Sequence, residues 1–420
     1  NVGSVGSVRL GGGDGATLAS LSPLSFPVPM ELSCAALDAA FHPHEESTLL
    51  VGLVDGSAEV RRVDSPKSAR PPMRVNRLLE GGVQVVKFGE DGGVALCGGS
   101  DGTFAGIDVH SGGVSYVKKV KRKSGADVAI TALAVPQQEQ KLVLVGEDEG
   151  MVRLWDARVG QYALKRHEHR DYVSAIRESP TTASTVYTAS ADGTLGVWDL
   201  RTSSSGGVDP KFKFKGASFE VQDELLAMAL IKGGRKIVCG SAEGVLNIYS
   251  ANSWSDVSDR FLGHPHSIDA IVEVDNDTVL TGSSDGLIRA VQLHPNKLLG
   301  LVGEHGELPI ERLTLSKDCR LLASCSHDEV IQFYDVAALF HDDQDDGNSD
   351  GDGEGEGEGE AGEGPDQAES AGGAQVQSGK RIARSGAVLN HTNRDAGRSS
   401  KKQKKRRRTD RQDPNFFDDL

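Results

Sequence analysis

The chain of 420 residues carries a formal charge of −15, with 25% charged residues and 51 glycines. It is long enough to bury a large core and rich in turns and flexible segments. Its five cysteines (Cys34, Cys97, Cys239, Cys319 and Cys325) are odd in number and lack C-x-x-C spacing, which argues against a disulfide framework or a thiolate metal site and for reduced, buried thiols. No apolar run approaches the ~20 residues that cross a bilayer, so no membrane partner is expected.

In chain order, residues 1–24 are rich in Gly, Ser and Val, lack a signal-peptide core and read as a disordered segment. Residues 25–32 are an extended stretch whose prolines suit an edge strand. From there to residue 340 one pattern recurs: an apolar strand, a tight turn with Asp-Gly or Glu-Gly, then a strand of alternating side chains. Copies centre on Val54-Asp55-Gly56, Ser100-Asp101-Gly102, Asp148-Glu149-Gly150, Ala191-Asp192-Gly193, Ala242-Glu243-Gly244 and Ser284-Asp285-Gly286. A seventh, Ser326-His327-Asp328-Glu329, has Glu329 in place of Gly. The six glycines are spaced by 46, 48, 43, 51 and 42 residues, a period that holds four short strands with their loops.

Asp-Gly between alternating runs signals a hairpin, because Gly accepts the positive φ that a primed turn requires. A further strand precedes each hairpin, at Leu37–Phe41, Val83–Phe88, Ile130–Val135, Tyr172–Ile176, Leu225–Leu230, Ile268–Val274 and Ile310–Leu315. A fourth follows, most clearly at Lys211–Lys215, where charge and ring alternate. One such sheet cannot bury both faces, whereas seven around an axis can. The expected fold is therefore all-β, a seven-bladed propeller over residues 25–340. Residues 25–32 are expected to give the last blade its outer strand, since that blade otherwise ends at Asp335.

Residues 341–420 read as a disordered tail in which charge is sorted into blocks. Residues 341–370 hold 13 acidic side chains and no Lys or Arg, while 380–411 hold 13 basic and two acidic ones. Lys401, Lys402, Lys404, Lys405, Arg406, Arg407 and Arg408 read as a nuclear or nucleolar address, or as a sequence-independent RNA contact through phosphates. Phe416 and Phe417, followed by two acids, read as a short docking motif for a protein partner.

At its hairpins the sequence resembles the WD-repeat family. Trp155-Asp156 and Trp198-Asp199 end the inner hairpins of the third and fourth repeats. The resemblance implies a structural tetrad in the fourth: His169 before the first strand, Ser190 on the second, Asp192 in the turn and Trp198 on the third. The third repeat has Glu147 and Glu149 at the Ser and Asp positions. The sixth keeps His264, Ser283 and Asp285 with Val291 for Trp, and the seventh keeps His305, Ser326 and Asp328 with Tyr334. The runs "DRFLGHPHSIDAIVEV", "TGSSDGLIRAVQLHPNKLLGLVGEHGELPIERLTLS" and "LLASCSHDEVIQFYDV", with the ending "DPNFFDDL", resemble the WD repeat-containing protein 55 family. That likeness implies a nuclear, largely nucleolar protein tied to ribosomal RNA processing and ribosome biogenesis. Plant members of that family are also similar to substrate receptors of cullin-4 ubiquitin ligases. In such receptors W-D-x-R boxes dock on the adaptor, which makes Asp156, Arg158, Asp199 and Arg201 candidate partner contacts.

Neither a cofactor nor catalysis is expected. Ser100 and Ser284 fall in G-x-S-x-G, but a nucleophile elbow needs a strand-to-helix turn, and these glycines belong to strand-to-strand repeats. The pairs His167/His169, His42/His44 and His264/His266 lack further ligands at metal spacing. Gly11–Gly15 lacks the Lys-Ser/Thr of a phosphate loop. The expected function is a non-enzymatic scaffold without a small-molecule substrate.

Overall fold

The computed structural model describes residues 28–63, 73–122, 125–137, 141–157, 160–182, 184–201 and 211–340. The segment 1–24, the tail from 341, and with it Lys401–Arg408 and Phe416–Phe417, lie outside the described residues, as does Arg158. The chain enters at β1 (Met30–Glu31) and then builds antiparallel sheets in order. The first sheet is β2 (Ala36–Phe41), β3 (Thr48–Leu53), β4 (Ala58–Arg62) and β5 (Met73–Val75). The second is β6 (Val83–Phe88), β7 (Val94–Gly99), β8 (Thr103–Asp108) and β9 (Val114–Lys119). The third is β10 (Ile130–Ala134), β11 (Leu142–Glu147), β12 (Met151–Asp156) and β13 (Gln161–His167). The fourth is β14 (Val173–Glu178), β15 (Thr185–Ser190), β16 (Leu195–Arg201) and β17 (Lys211–Ala217). The fifth is β18 (Leu225–Ile231), β19 (Lys236–Ser241), β20 (Leu246–Ser250) and β21 (Ser253–Phe261). The sixth is β22 (Ile268–Glu273), β23 (Thr278–Ser283), β24 (Leu287–Gln292) and β25 (Lys297–Glu304). The seventh joins β26 (Ile310–Leu315), β27 (Leu321–Ser326) and β28 (Val330–Asp335) to β1 as its outer strand.

Of the described residues 28–32, Met30 and Glu31 form the ladder: Met30 lies opposite Ile331 and Glu31 opposite Val330. Leu32 N–H adds a bond to the Glu329 carbonyl at 2.8 Å. The first strands of successive sheets touch in a closed cycle, β26 meeting β2. The molecule is a seven-bladed β-propeller. Apolar runs explain the layering: β3, β11, β15 and β23 are buried throughout, while β13 alternates exposed and half-buried positions. The core lies between sheets. Trp198 of the fourth packs with Leu142, Leu144, Val152 and Leu154 of the third, and Ile331 and Phe333 of the seventh pack with Ala39, Phe41 and Leu49 of the first.

The turns differ from the expected primed type. Gly56, Gly102, Gly150, Gly193, Gly244 and Gly286 have φ between +75° and +80°, but the residue before each does not. Gly56 N–H bonds the Leu53 carbonyl at 3.2 Å and Leu53 N–H the Ser57 carbonyl at 3.0 Å. This is a type I turn closed by a left-handed residue, the three-residue hairpin with a G1 bulge. The glycine follows the two central residues instead of being one of them, so its positive φ serves the left-handed bulge position and not a primed turn.

Antiparallel order fixes two ends of the ring. The Asp-Gly turns and the connections between sheets share one, the turn end; the remaining loops share the other, the far end.

Candidate functional site

The buried polar chain of the fourth sheet holds the turn end in shape. His169 Nδ1 lies 3.2 Å from Asp192 Oδ2, and His169 Nε2 lies 2.7 Å from Thr188 Oγ1. Trp198 Nε1–H donates to the same Thr188 Oγ1 at 2.8 Å. Every group is satisfied if Thr188 donates to Nε2 and His169 carries its proton on Nδ1. Burial alone would raise the Asp192 carboxyl, but bonds from His169, Thr194 and the Arg170 N–H outweigh it and hold it well below the usual carboxylate range.

The hydroxyl in this chain belongs to Thr188, not to Ser190. Both point to one face of β15 because strand side chains repeat every second residue. Ser190 sits at the strand end, donates to the Asp171 carbonyl at 3.0 Å and accepts from Asp192 N–H at 3.2 Å, so it braces the turn. Thr188 lies one pleat deeper, opposite Gly196. A Cβ on Gly196 would stand 2.4 Å from Thr188 Oγ1 and 2.8 Å from His169 Nε2, so this glycine makes room for the chain. The same correction holds elsewhere. His264 bonds Thr281 at 2.8 Å while Ser283 donates to the Ser267 carbonyl. His305 bonds Ser324 at 2.8 Å and Asp328 at 3.1 Å while Ser326 donates to the Pro309 carbonyl. Arg289, unremarked in the sequence, takes Asp285 through two nitrogens. In the third sheet Glu147 is buried against Arg153, whose guanidinium also lies over the Tyr162 ring. Tyr334 ties its hydroxyl to the Glu304 carbonyl.

Of the W-D-x-R residues, Asp156 is buried. Asp199 is mostly buried, while the Arg201 side chain is 73% exposed at the far end and folds back on Asp199. Hydrogen bonds from Arg201 lower the Asp199 carboxyl pKa despite its partial burial. Trp198 serves the core, stacked on Phe212 at 4.8 Å. Ser100 and Ser284 lead into β8 and β24, strands rather than helices. Among the described residues no cluster of three His, Cys, Asp or Glu is placed to hold a metal, and no helix is long and apolar enough to cross a membrane. His42 accepts from the His44 and Glu45 N–H groups, and His167 bonds the Glu149 carbonyl. Cys97, Cys239 and Cys325 are buried free thiols; burial raises Cys97 to about 12.

The turn end also carries surface signals that the sequence had not singled out. Val54 (50% exposed), Phe219 (71%), Leu262 (78%) and Leu308 (41%) all stand on its turns and connections. Beside Phe219, a cleft of about 320 Å³ is lined by Arg170, Asp171, Asp192, Glu220, Asp223 and Glu224. Arg170 pairs with Glu220, leaving the cleft net acidic.

A family model for WDR55 matches residues 27–339. The chain is 33% identical over 307 residues to the WD repeat-containing protein 55 homolog of Dictyostelium discoideum, covering 72% of this chain and 69% of that protein. It is 35% identical over 323 residues to WD repeat-containing protein JIP5 of Cryptococcus neoformans, covering 74% and 82%. With human WD repeat-containing protein 55 it shares 30% over 313 residues, covering 74% and 77%. A matching ring, spanned from first strand to last, places this chain in the WD repeat-containing protein 55 family.

Proposed function

We propose that this propeller, a protein-interaction scaffold, works in the nucleus and nucleolus and holds protein partners during ribosomal RNA processing and ribosome biogenesis. The observation that carries the protein-binding part is the turn end. Four large apolar side chains are exposed there on turns and connections around much of the ring, and Phe219 stands beside the acidic cleft, where a partner's pocket can bury its ring. The adjoining acidic cleft favours a basic protein over nucleic acid, whose phosphates it would repel. Nucleolar residence rests on the basic run at 401–408, which also offers phosphates a salt-sensitive contact.

Two manipulations test this reading. A tagged chain lacking residues 400–408 is expected to leave the nucleolus; unchanged localisation would remove the tail from the account. Affinity purification from nuclear extract at two salt concentrations is expected to return ribosome-assembly proteins. Phe219→Asp with Leu262→Asp should deplete them, and equal recovery would exclude the turn end.

A second reading, docking on a cullin-4 ligase adaptor, is favoured by the exposure of Arg201 at the far end. Its guanidinium is already engaged by Asp199, so adaptor binding must displace or extend that pair. Arg201→Ala should abolish co-purification with the adaptor at unchanged thermal stability; persistence of the complex would sink this reading.

A further inference from the structure

The axial channel is lined by the first strand of every sheet, and its cavity measures about 80 Å³, too little for a typical small-molecule ligand, whose pockets run to roughly 300 Å³ or more. Its charge is uneven. Asp269 and Glu311 each follow the first residue of their strand, toward the turn end, and Glu311 is paired with His327 at 2.9 Å. Lys87 and Arg177 each stand fifth in theirs, toward the far end. The matching positions of the other five strands are Ala40, Ala134, Ala229, Val272 and Thr314, none of which carries a charge. Arg312 lies between these levels, on the strand adjoining Asp38 across the ring closure, with Nε 3.8 Å from Asp38 Oδ1. The Asp38 carboxylate is further occupied by the Ala39 and Val86 N–H groups at 2.9 and 2.8 Å. It offsets one cation of three. Among the described residues Arg177 donates only to a backbone carbonyl, that of Ile176. Lys87 has no hydrogen-bond or ion-pair partner among the described residues.

Burying a cation without a counter-charge is costly unless something neutralises it. Against the three cations Lys87, Arg177 and Arg312 the cavity lining sets two carboxylates, Asp269 toward the turn end and Asp38, which also acts on Lys87 and Arg177, so the far half of this narrow space keeps an excess of positive charge. Glu178 and Glu273, next along β14 and β22, point to the other side of their strands, and Glu178 accepts the Gln137 N–H at 2.6 Å. We propose that the far half of the channel is a binding site for one phosphate dianion, held between Lys87 and Arg177 with Arg312 alongside. The sign of the charge matches, since phosphate carries about −1.5 to −2 at neutral pH, and a single phosphoryl group suits the volume where a nucleotide does not. Burial, with help from Arg177 and Arg312 and against the pull of Asp38, lowers the Lys87 ammonium to about 8, so the site is charged at neutral pH and discharges as the pH rises past that value.

The test is thermal unfolding of the full chain in inorganic phosphate against chloride at equal ionic strength, for the natural sequence and for Lys87→Met and Arg177→Gln. Phosphate at 100 times its dissociation constant stabilises by about 2.7 kcal/mol, read as a rise of several degrees in Tm. Lys87→Met is expected to raise Tm in chloride and to abolish the phosphate shift; Arg177→Gln should weaken the shift, and serves alone if the first variant does not fold. Equal Tm in phosphate and chloride, or an undiminished shift in both variants, overturns the proposal, the second by assigning phosphate to the surface or the basic tail. A parallel titration with a short phosphoserine peptide separates the sources: a larger shift than with inorganic phosphate assigns the site to a phosphorylated partner, a smaller one to the free ion.

Discussion

Thr188 and Ser190 share a face of β15, yet removing their hydroxyls should cost different amounts. Thr188→Val takes away the one oxygen that serves both His169 and Trp198 and strands two buried nitrogens, each worth about 1–3 kcal/mol when left unpaired. Ser190→Ala loses its bonds to the Asp171 carbonyl and the Asp192 N–H at the strand end, next to the turn, each worth about 1 kcal/mol. Urea unfolding should rank Thr188→Val as the more damaging change, and the reverse order would return Ser190 to the chain. His264 gives a pH signature at the same scale. Burial, with nearby Arg289 and against the pull of Asp285, depresses its imidazole to about 4 from an ordinary 6.5. Between those values the unfolded chain binds a proton that the folded ring refuses. Stability contributed by neutral His264 is full above pH 6.5 and falls as the pH drops toward 4, by up to about 3 kcal/mol. A His264→Gln variant should flatten the Tm–pH curve over that interval; an unchanged slope would show that other groups set it.

At the scale of the element, the hairpin turn decides how each blade meets its neighbour. Gly193 has φ +75°, and a Cβ there would lie 2.2 Å from the Val221 carbonyl oxygen of the following connection. Gly160 has φ +62° with nothing within 4 Å. Both lose about 1–2 kcal/mol to backbone strain on substitution by Ala, but only Gly193→Ala must also displace backbone. Its unfolding midpoint should fall clearly further than that of Gly160→Ala, and equal losses would mean the connection yields freely. These contrasts show what was legible. The turn glycines and the strands beside them follow from local spacing, which a sequence displays directly, whereas the histidines of the fourth, sixth and seventh sheets came with the resemblance to the WD-repeat family. Choosing Thr188 over Ser190 needed the depth of each hydroxyl, because the two satisfy the same alternation. Lys87, Arg177 and Arg312 stood apart by more than a blade's length of sequence, and only ring closure brings them onto one axis. Arg153 and Arg289 escaped notice because an arginine on an alternating strand looks like a solvated face until its buried carboxylate partner is known.

Closure belongs to the whole molecule. Six sheets are built from consecutive strands, whereas the seventh borrows β1 from the start of the chain, so its edge is covered by a segment remote in sequence. Two ladder pairs and the Leu32–Glu329 bond form the seam. Leu32, 8% exposed, enters the core shared by the seventh and first sheets, with Met30 and Cys34 packed against it. A chain lacking residues 1–32 should lose that apolar burial, about 1.5–3 kcal/mol for the Leu side chain alone, and expose the unpaired edge of β28, a template for strand addition by another copy. The expected outcome is a lower Tm together with concentration-dependent association in sedimentation. Lys substitutions at Ile331 and Phe333 would confuse the result by breaking the core, so the cleaner control is Leu32→Ala, which removes burial but leaves the β1 ladder in place. It should lower Tm without association. If the truncated chain remains monomeric at the natural Tm, the ring is held by the contacts between β26, β27 and β2 and β1 is dispensable.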